Sequence, residues 1–496
     1  MTNLTSVKHK NVITFCVMVA AVMEVLDVTI ANIALPHIQG ALNTSKDQVM
    51  WVLTSYIVSS AVATPFSGWI ACKIGIRQTL LVCITGFTIS SILCGVADSL
   101  GQIVCFRLLQ GFFGAALIPL SQSVLLDINP RDRYPQAMAI WGIGMMVAPI
   151  LGPVIGGFIT DTYNWRWIFF INVPVGIVAF FGILIFLPNL GKKDTRFDLL
   201  GFVLCSVFIF ALQIMLDRGE QKDWFESQEI VTFLIIFIVA FIAFAIHSKS
   251  YKDAFIPVQL FADRNYLVSN IIIFFVMAVL YATLTIMPQF LQDLAGYDIV
   301  DAGILVSTRG IGTLFAMIIV GRFGSKINIR FLVAFGLTLM ASASYIMTSI
   351  NIDSAKELVI YSGLIQGFGV GSIFVPISSA CFATISSELR PQATAVYSLI
   401  RNIGGSVGIS VLTFITIYYT KMNHELLTAF LTPSSKNLID FLQKYLSTFT
   451  TEEQIALLEL QVTQQATLIG YINAFYVCMI ITVLMIPLVF FLKTDK

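Results

Sequence analysis

Two acids stand where an acid is expensive. Residues 12–36 form an apolar run long enough to cross a bilayer, and the run contains Glu24 and Asp27. A carboxylate at the centre of a membrane helix costs about 2.5–3.5 kcal/mol on insertion scales, so two in one segment need compensation. Three residues apart, they lie close to one face of a helix and can point together into a protein interior. A carboxyl group withdrawn from water keeps its proton to higher pH than one in solution. That property suits a group that loads a proton on one side of a membrane and releases it on the other. The chemistry this spacing suggests is proton carriage along a transport pathway. The plainer alternative is a pair of buried polar groups satisfied by neighbouring helices.

Three cations share that apolar setting. Arg107 lies in Arg107-x2-Gln110-Gly111, and Arg309 and Arg401 also fall inside apolar runs. Arginine stays protonated and needs a partner in hydrocarbon. Arg107 is therefore expected either in a structural ion pair or carbonyl contact, or as the charge that tunes proton coupling. Arg309 and Arg401 are read in the same way. A third pattern is Gly144-x4-Pro149-x2-Gly152-Pro153-x2-Gly156-Gly157. Glycines let helices approach and prolines remove backbone donors, so this segment is expected as a tightly packed, kinked helix at a moving interface. A fourth, Gly68-x3-Cys72-Lys73-x-Gly75-x-Arg77, is a tight basic turn. Lys73 and Arg77 there can bond the last carbonyls of neighbouring helices and latch one state; an ordinary basic loop is the alternative.

Other chemistries find no footing. The eight cysteines and four histidines form no Cys-x-x-Cys pair and no histidine cluster, so neither a metal site nor a disulfide framework is expected. There is no Gly-x4-Gly-Lys-Ser/Thr loop for a nucleotide and no Ser/His/Asp constellation. The chain is expected to be neither an enzyme nor an ATP-driven pump, and to need no cofactor beyond a proton gradient.

The elements that must position these residues follow from composition. The chain is 57% hydrophobic and 11% charged, with mean hydropathy +0.87, against about 25% charge in soluble proteins. An all-α polytopic membrane protein is expected. A net charge of +1 gives no basic field for nucleic acid. Apolar runs predict fourteen spans, near 12–34, 48–70, 78–98, 102–126, 136–160, 166–187, 199–217, 229–247, 266–291, 299–321, 330–350, 357–384, 392–419 and 469–492, the seventh being the shortest. The first is expected to be a retained span rather than a signal peptide. Of the 29 lysines and arginines, eighteen fall in segments on the side of the termini, eight on the other side, and three within spans. That bias predicts both termini in the cytoplasm.

The chain also repeats. Leu108-Leu109-Gln110-Gly111-Phe112 returns as Leu364-Ile365-Gln366-Gly367-Phe368, Pro119-Leu120-Ser121 as Pro376-Ile377-Ser378, and Pro135-Gln136-Ala137 as Pro391-Gln392-Ala393. Two parallel six-span halves with a substrate site between them at mid-membrane account for this. The division is residues 1–190 for the first half, 191–265 for two inserted spans with basic linkers, and 266–496 for the second half. The second half contains a long outside loop at 420–468, in which Thr450 and Glu453 form a capping box ahead of Ile455, Leu457, Leu458 and Leu460. The loop is either a solvated cap or a docking surface.

These motifs together resemble the major facilitator superfamily, and within it the fourteen-span drug:proton antiporter branch. Leu26-Asp27-Val28-Thr29-Ile30-Ala31-Asn32-Ile33-Ala34-Leu35-Pro36 resembles the branch's first-helix signature. Arg107 to Gly114 resembles its fourth-helix motif, and Gly144 to Gly157 its fifth-helix motif, which is associated with export. Ile118 to Ser123 and Trp167-Ile168-Phe169-Phe170-Ile171-Asn172-Val173-Pro174 are most similar to the EmrB type of multidrug exporter. Cys72 departs from the wider superfamily, which places an aspartate in that loop. The resemblance implies proton-driven export of hydrophobic small molecules across a bacterial inner membrane by alternating access, with Asp27 first, Glu24 second and Arg107 as the tuning charge. It also implies a periplasmic adaptor and an outer-membrane channel as partners, with residues 420–468 as the adaptor's contact. A dedicated exporter of a metabolite such as a siderophore or fatty acid is the alternative, and a nutrient importer fits the fifth span less well.

Overall fold

The computed structural model describes residues 9–188, 196–251, 254–352, 356–431 and 450–493, with the isolated positions 438, 440 and 442. The basic linker at 188–198 and the middle of the loop at 420–468 fall largely outside the described residues. Fourteen helices are long and apolar enough to cross a membrane, and there is no strand among the described residues. That is what hydrocarbon demands, because a helix satisfies its own backbone polar groups.

In chain order the helices are α1 (Lys10–Ala41), α2 (Trp51–Ile74), α3 (Ile76–Gly95), α4 (Leu100–Gly114 continued as Leu117–Ile128), α5 (Tyr134–Thr162), α6 (Trp167–Phe170 continued as Asn172–Phe186) and α7 (Leu199–Arg218). They continue as α8 (Gln228–Ser250), α9 (Arg264–Gln289), α10 (Ile299–Phe323), α11 (Ile329–Met347), α12 (Lys356–Ala383), α13 (Arg390–Ala429) and α14 (Thr451–Met485). The shortest is α11, at 19 residues, not the seventh span as hydropathy predicts. Two helices outrun their apolar cores. α13 continues to Ala429, and α14 begins at Thr451, eighteen residues ahead of its predicted start at 469. The capping box is present: Glu453 N–H donates to Thr450 Oγ1 at 3.4 Å and Thr450 N–H to Glu453 Oε2 at 2.8 Å. The two projecting ends meet where His424 Nε2 and Glu459 Oε1 lie 2.9 Å apart.

Helices α1–α6 pack together, as do α9–α14. Glycines set the close crossings. A Cβ on Gly111 would run into the Tyr56 carbonyl of α2, and a Cβ on Gly367 into the Arg309 carbonyl of α10. The repeat in sequence is thus a repeat in packing: α4 crosses α2 as α12 crosses α10. The hairpin α7–α8 packs on both halves through α7, with contacts to α2 and α13. Thr54 donates to Asp217 Oδ2 at 2.7 Å, Ser410 donates to the Leu216 carbonyl at 2.5 Å, and Gln213 donates to Ser406 Oγ at 3.2 Å. Asp198 anchors the hairpin's base. It caps Gly201 N at 2.9 Å and accepts from Phe255 N at 3.0 Å, with His247 Nε2 2.8 Å away.

The first and last described residues lie on one face. His9 packs edge-on against Phe186 at the end of α6, while Asn265 and Arg330 donate to the carbonyls of Lys493 and Leu492. Direct contacts between the halves gather at this face. Gly68 abuts Gln392, Pro391 and Ala395, Gly142 abuts Met317, and Gly321 abuts Ala139. Asp127 at the end of α4 pairs with Arg390 at the start of α13, both side chains only 7% exposed. Trp141 stacks on Phe374 with centroids 5.7 Å apart. The molecule is closed at the face that bears the termini.

Candidate functional site

Helix α1 carries both acids into the interior: Glu24 is 6% and Asp27 2% exposed. The period of the helix buries Met23, Glu24, Asp27, Ile30, Ala31 and Ala34 on one side. Two neighbouring helices supply polar groups to Asp27. From α4, Arg107 Nη1 lies 2.5 Å from Oδ2 and Gln110 Nε2 donates to Oδ1 at 2.8 Å. From α6, Asn172 Nδ2 donates to the same Oδ1 at 2.7 Å and to Ser91 Oγ at 2.9 Å. Arg107 is fully buried and also donates to the Val52 carbonyl at 3.1 Å and to Gln110 Oε1 at 2.8 Å. Tyr56 covers the guanidinium, 4.3 Å from its ring centroid. A carboxyl group with three donors, one of them the counter-charge Arg107, is the arrangement that makes burial tolerable.

Glu24, one turn nearer the termini, is held differently. It accepts one backbone hydrogen bond, from Ile118 N at 3.3 Å, where α4 resumes after its break. Among the described residues no cation lies within ion-pair distance of it. Arg401, a buried arginine of the other half, lies on α13. Arg401 is 7% exposed, lies over the Trp141 ring at 5.9 Å and leaves its buried Nε without a partner.

The second half repeats the arrangement without the acid. Thr283 stands at the repeat's equivalent of Asp27, by the offset that relates Gln110 to Gln366. Gln366 Nε2 donates to Thr283 Oγ1 at 3.2 Å, and Arg309 Nη1 donates to the same oxygen at 3.0 Å. The arginine comes from α10 here, not from the helix equivalent to α4. So the structure brings Asp27, Arg107 and Gln110 together, leaves Glu24 one turn away, and sets Arg309 in the second half.

The glycine-rich motif of α5 departs from expectation in its direction. Gly144 meets Met18, Gly152 meets Thr29 and Gly156 meets Ile30, all on α1 of the same half. Gly157 meets nothing within 4 Å. Pro149 is exposed, and the side chain of Pro153 lies outside the described residues. The glycines seat α5 against the acid-bearing helix; the contact across halves is made instead by Ala139, Trp141 and Gly142. The basic turn also divides its duties. Gly68 provides the cross-half contact, Gly75 closes α2 at φ 97°, and Arg77 donates to the Leu184 carbonyl at the end of α6 in the same half. Lys73 is exposed and lies over the Trp69 ring at 4.9 Å. Cys72, in place of an acid, has its thiol 3.6 Å from the Glu388 carbonyl.

Sequence reasoning assigned no role to Asn172, Thr283 or the Asp127–Arg390 pair. The repeat offset already pointed to Thr283. Asn172 stands alone in an aromatic segment, and its partners, Asp27 and Ser91, come from two other helices. Among the described residues no group of histidine, cysteine and acid side chains could hold a metal ion.

A buried ion pair within the spans, two six-helix halves and a closure at the termini face are the features of a membrane transporter. The chain belongs to the major facilitator superfamily, whose family model matches residues 17–409. It is 33% identical to the multidrug export protein EmrB of Escherichia coli over 97% of this chain and 95% of that protein. It is 35% identical to the fatty acid resistance protein FarB of Neisseria gonorrhoeae over 97% and 96%. The solved structure of the human organic anion transporter MFSD10 shares the fold, with a TM-score of 0.62 at 13% identity over 97% of this chain and all of that one. The proton:xylose symporter XylE does so with a TM-score of 0.60 at 12% identity, over 95% and 94%.

Proposed function

We propose that this protein exports hydrophobic small molecules from the cytoplasm in exchange for protons, by alternating access of its two halves. The observation that carries the reading is the Asp27 site: one carboxylate, buried at mid-membrane, held by Arg107, Gln110 and Asn172 from helices that surround it. Protonation of Asp27 removes the charge that Arg107 neutralises and so gives the half a second electrostatic state. Likeness to EmrB and FarB along nearly the whole chain supports export. The energy source is the proton gradient, with no other cofactor.

The excess of lysine and arginine on the termini face supports cytoplasmic termini in a bacterial inner membrane. With that orientation the present state is closed to the cytoplasm. The projecting ends of α13 and α14 then stand outside, with Leu426, Phe430, Ile455 and Leu460 exposed, and offer a periplasmic adaptor leading to an outer-membrane channel its contact. The domain division into residues 1–190, 191–265 and 266–496 has α7–α8 as a separate hairpin bridging the halves. A dedicated metabolite exporter is the second reading, favoured by the likeness to FarB.

Everted vesicles with an imposed proton gradient and a pH-sensitive dye test the proposal. Addition of an exported compound should dissipate the gradient in vesicles holding the protein and not in empty ones. Dissipation that is equal in both, across hydrophobic drugs and fatty acids, would contradict it.

A further inference from the structure

Among the described residues at mid-span, buried arginines outnumber buried acids. Arg107, Arg309 and Arg401 are 0%, 4% and 7% exposed, and the buried acids at mid-span are Glu24 and Asp27. Asp27 is spent on Arg107 at 2.5 Å. Arg309 has the Thr283 hydroxyl. Arg401 has neither a carboxylate within ion-pair distance nor a hydrogen-bond acceptor among the described residues; it has the face of Trp141. Its Nε is closed off without a partner, as are the hydroxyl of Ser398 one turn before it and that of Ser123 on α4, a helix α13 packs against. A buried cation and buried donors left unsatisfied are costly, and a state of the molecule that supplies their acceptors relieves that cost. Glu24 is the internal acid that could do so, yet its carboxylate is turned to Ile118 N.

The position of Arg401 says when the missing acceptor arrives. It lies three turns into α13, against Trp141, and Trp141 stacks on Phe374 of the other half. These rings are part of the closure at the termini face. Parting them opens Arg401 to ligands from that side, with two flat apolar walls beside it. We infer that Arg401 is the residue that recognises substrate charge: it binds the anionic head of an amphiphile, a carboxylate above all, while the tail lies along Trp141 and Phe374. A guanidinium meets a carboxylate through paired N–H donors, and in a dry setting such bonds discriminate strongly against an uncharged head. The inference rests on the export reading for its direction of loading, but not for the binding itself.

Equilibrium binding tests it. The protein in phosphatidylcholine nanodiscs is titrated with radiolabelled laurate and with dodecanol, which has the same tail and no charge, at a pH where laurate is ionised. Wild type should bind laurate about tenfold or more tighter than dodecanol, the value of one hydrogen-bonded charge. Arg401→Gln should bring the ratio close to one, and Arg401→Lys should keep most of it. The ratio is used because a partly unfolded variant lowers both affinities together. Equal affinities in wild type, or an unchanged ratio in Arg401→Gln, would overturn the assignment. So would displacement of laurate by phosphatidylglycerol added to the nanodisc, because the anion held at Arg401 would then be a lipid headgroup. Loss of gradient-driven transport with the laurate preference intact would instead overturn the export reading alone.

Discussion

Asp27 and Arg107 should behave as one unit when either is changed. Asp27→Asn keeps shape and some hydrogen bonding but leaves Arg107 fully buried with no counter-charge. Removing one partner of a buried pair costs about 3–5 kcal/mol. Arg107 retains the Val52 carbonyl and Gln110 Oε1, so the cost should fall at the lower end, about 3 kcal/mol. Arg107→Gln leaves Asp27 with Gln110 and Asn172 as donors, and a carboxyl can also take up a proton, so this loss should be smaller. The double variant has no uncompensated charge. It should therefore be more stable than Asp27→Asn alone, with a coupling of about 2 kcal/mol or more between the two positions. Thermal unfolding of the four proteins in one detergent, followed by intrinsic fluorescence, gives the order directly. Additive losses, with the double variant the least stable, would refute the claim that the two charges need each other.

Further consequences concern packing and closure. Gly152→Ala should impair folding or transport because its Cβ would meet Thr29 Cβ at 2.8 Å, whereas Gly157→Ala, open on that side, should express and transport like wild type. Asp127→Asn should release the Arg390 contact between the halves and shift the population toward opening at the termini face, read as a longer distance between spin labels on α4 and α13 at that face. Gly68→Val should act in the same direction, since a Cβ there would lie 2.9 Å from Gln392 Cα and the Pro391 carbonyl; an unchanged distance distribution would show that this approach is not needed for closure. Asn172→Ala removes one of three donors to Asp27, a bond to a charged group of about 1.5–3 kcal/mol. Proton-coupled transport should fall while expression stays, and wild-type rates would remove Asn172 from the site.

How far the residues announced these arrangements depends on the kind of signal. Hydropathy located all fourteen helices because each span must be apolar along about 20 residues. It misplaced the outer ends of α13 and α14 because residues 420–429 and 451–468 are helical in water, where only one face must be covered. Asp27 and Arg107 were marked by their cost in hydrocarbon, but their pairing across 80 positions was not, since cost says that a partner is needed and not which one. Gln110 drew notice through a motif and turned out to touch the same carboxylate. The glycine pattern of α5 points to a moving interface, but composition cannot tell which neighbour a smooth helix face meets, and here it is α1. Arg390 was counted only as a basic loop residue, because exposure at a span's end is the ordinary expectation and its burial against Asp127 depends on how the halves close.

The central claim, that Asp27 couples proton movement to export, is tested most directly in proteoliposomes holding wild type or Asp27→Asn and preloaded with a transported compound. Two rates are compared: net movement driven by an imposed pH gradient, and exchange of labelled for unlabelled compound with no gradient. The account predicts that Asp27→Asn loses gradient-driven movement and keeps exchange. Gradient-driven movement at the wild-type rate in Asp27→Asn would contradict it.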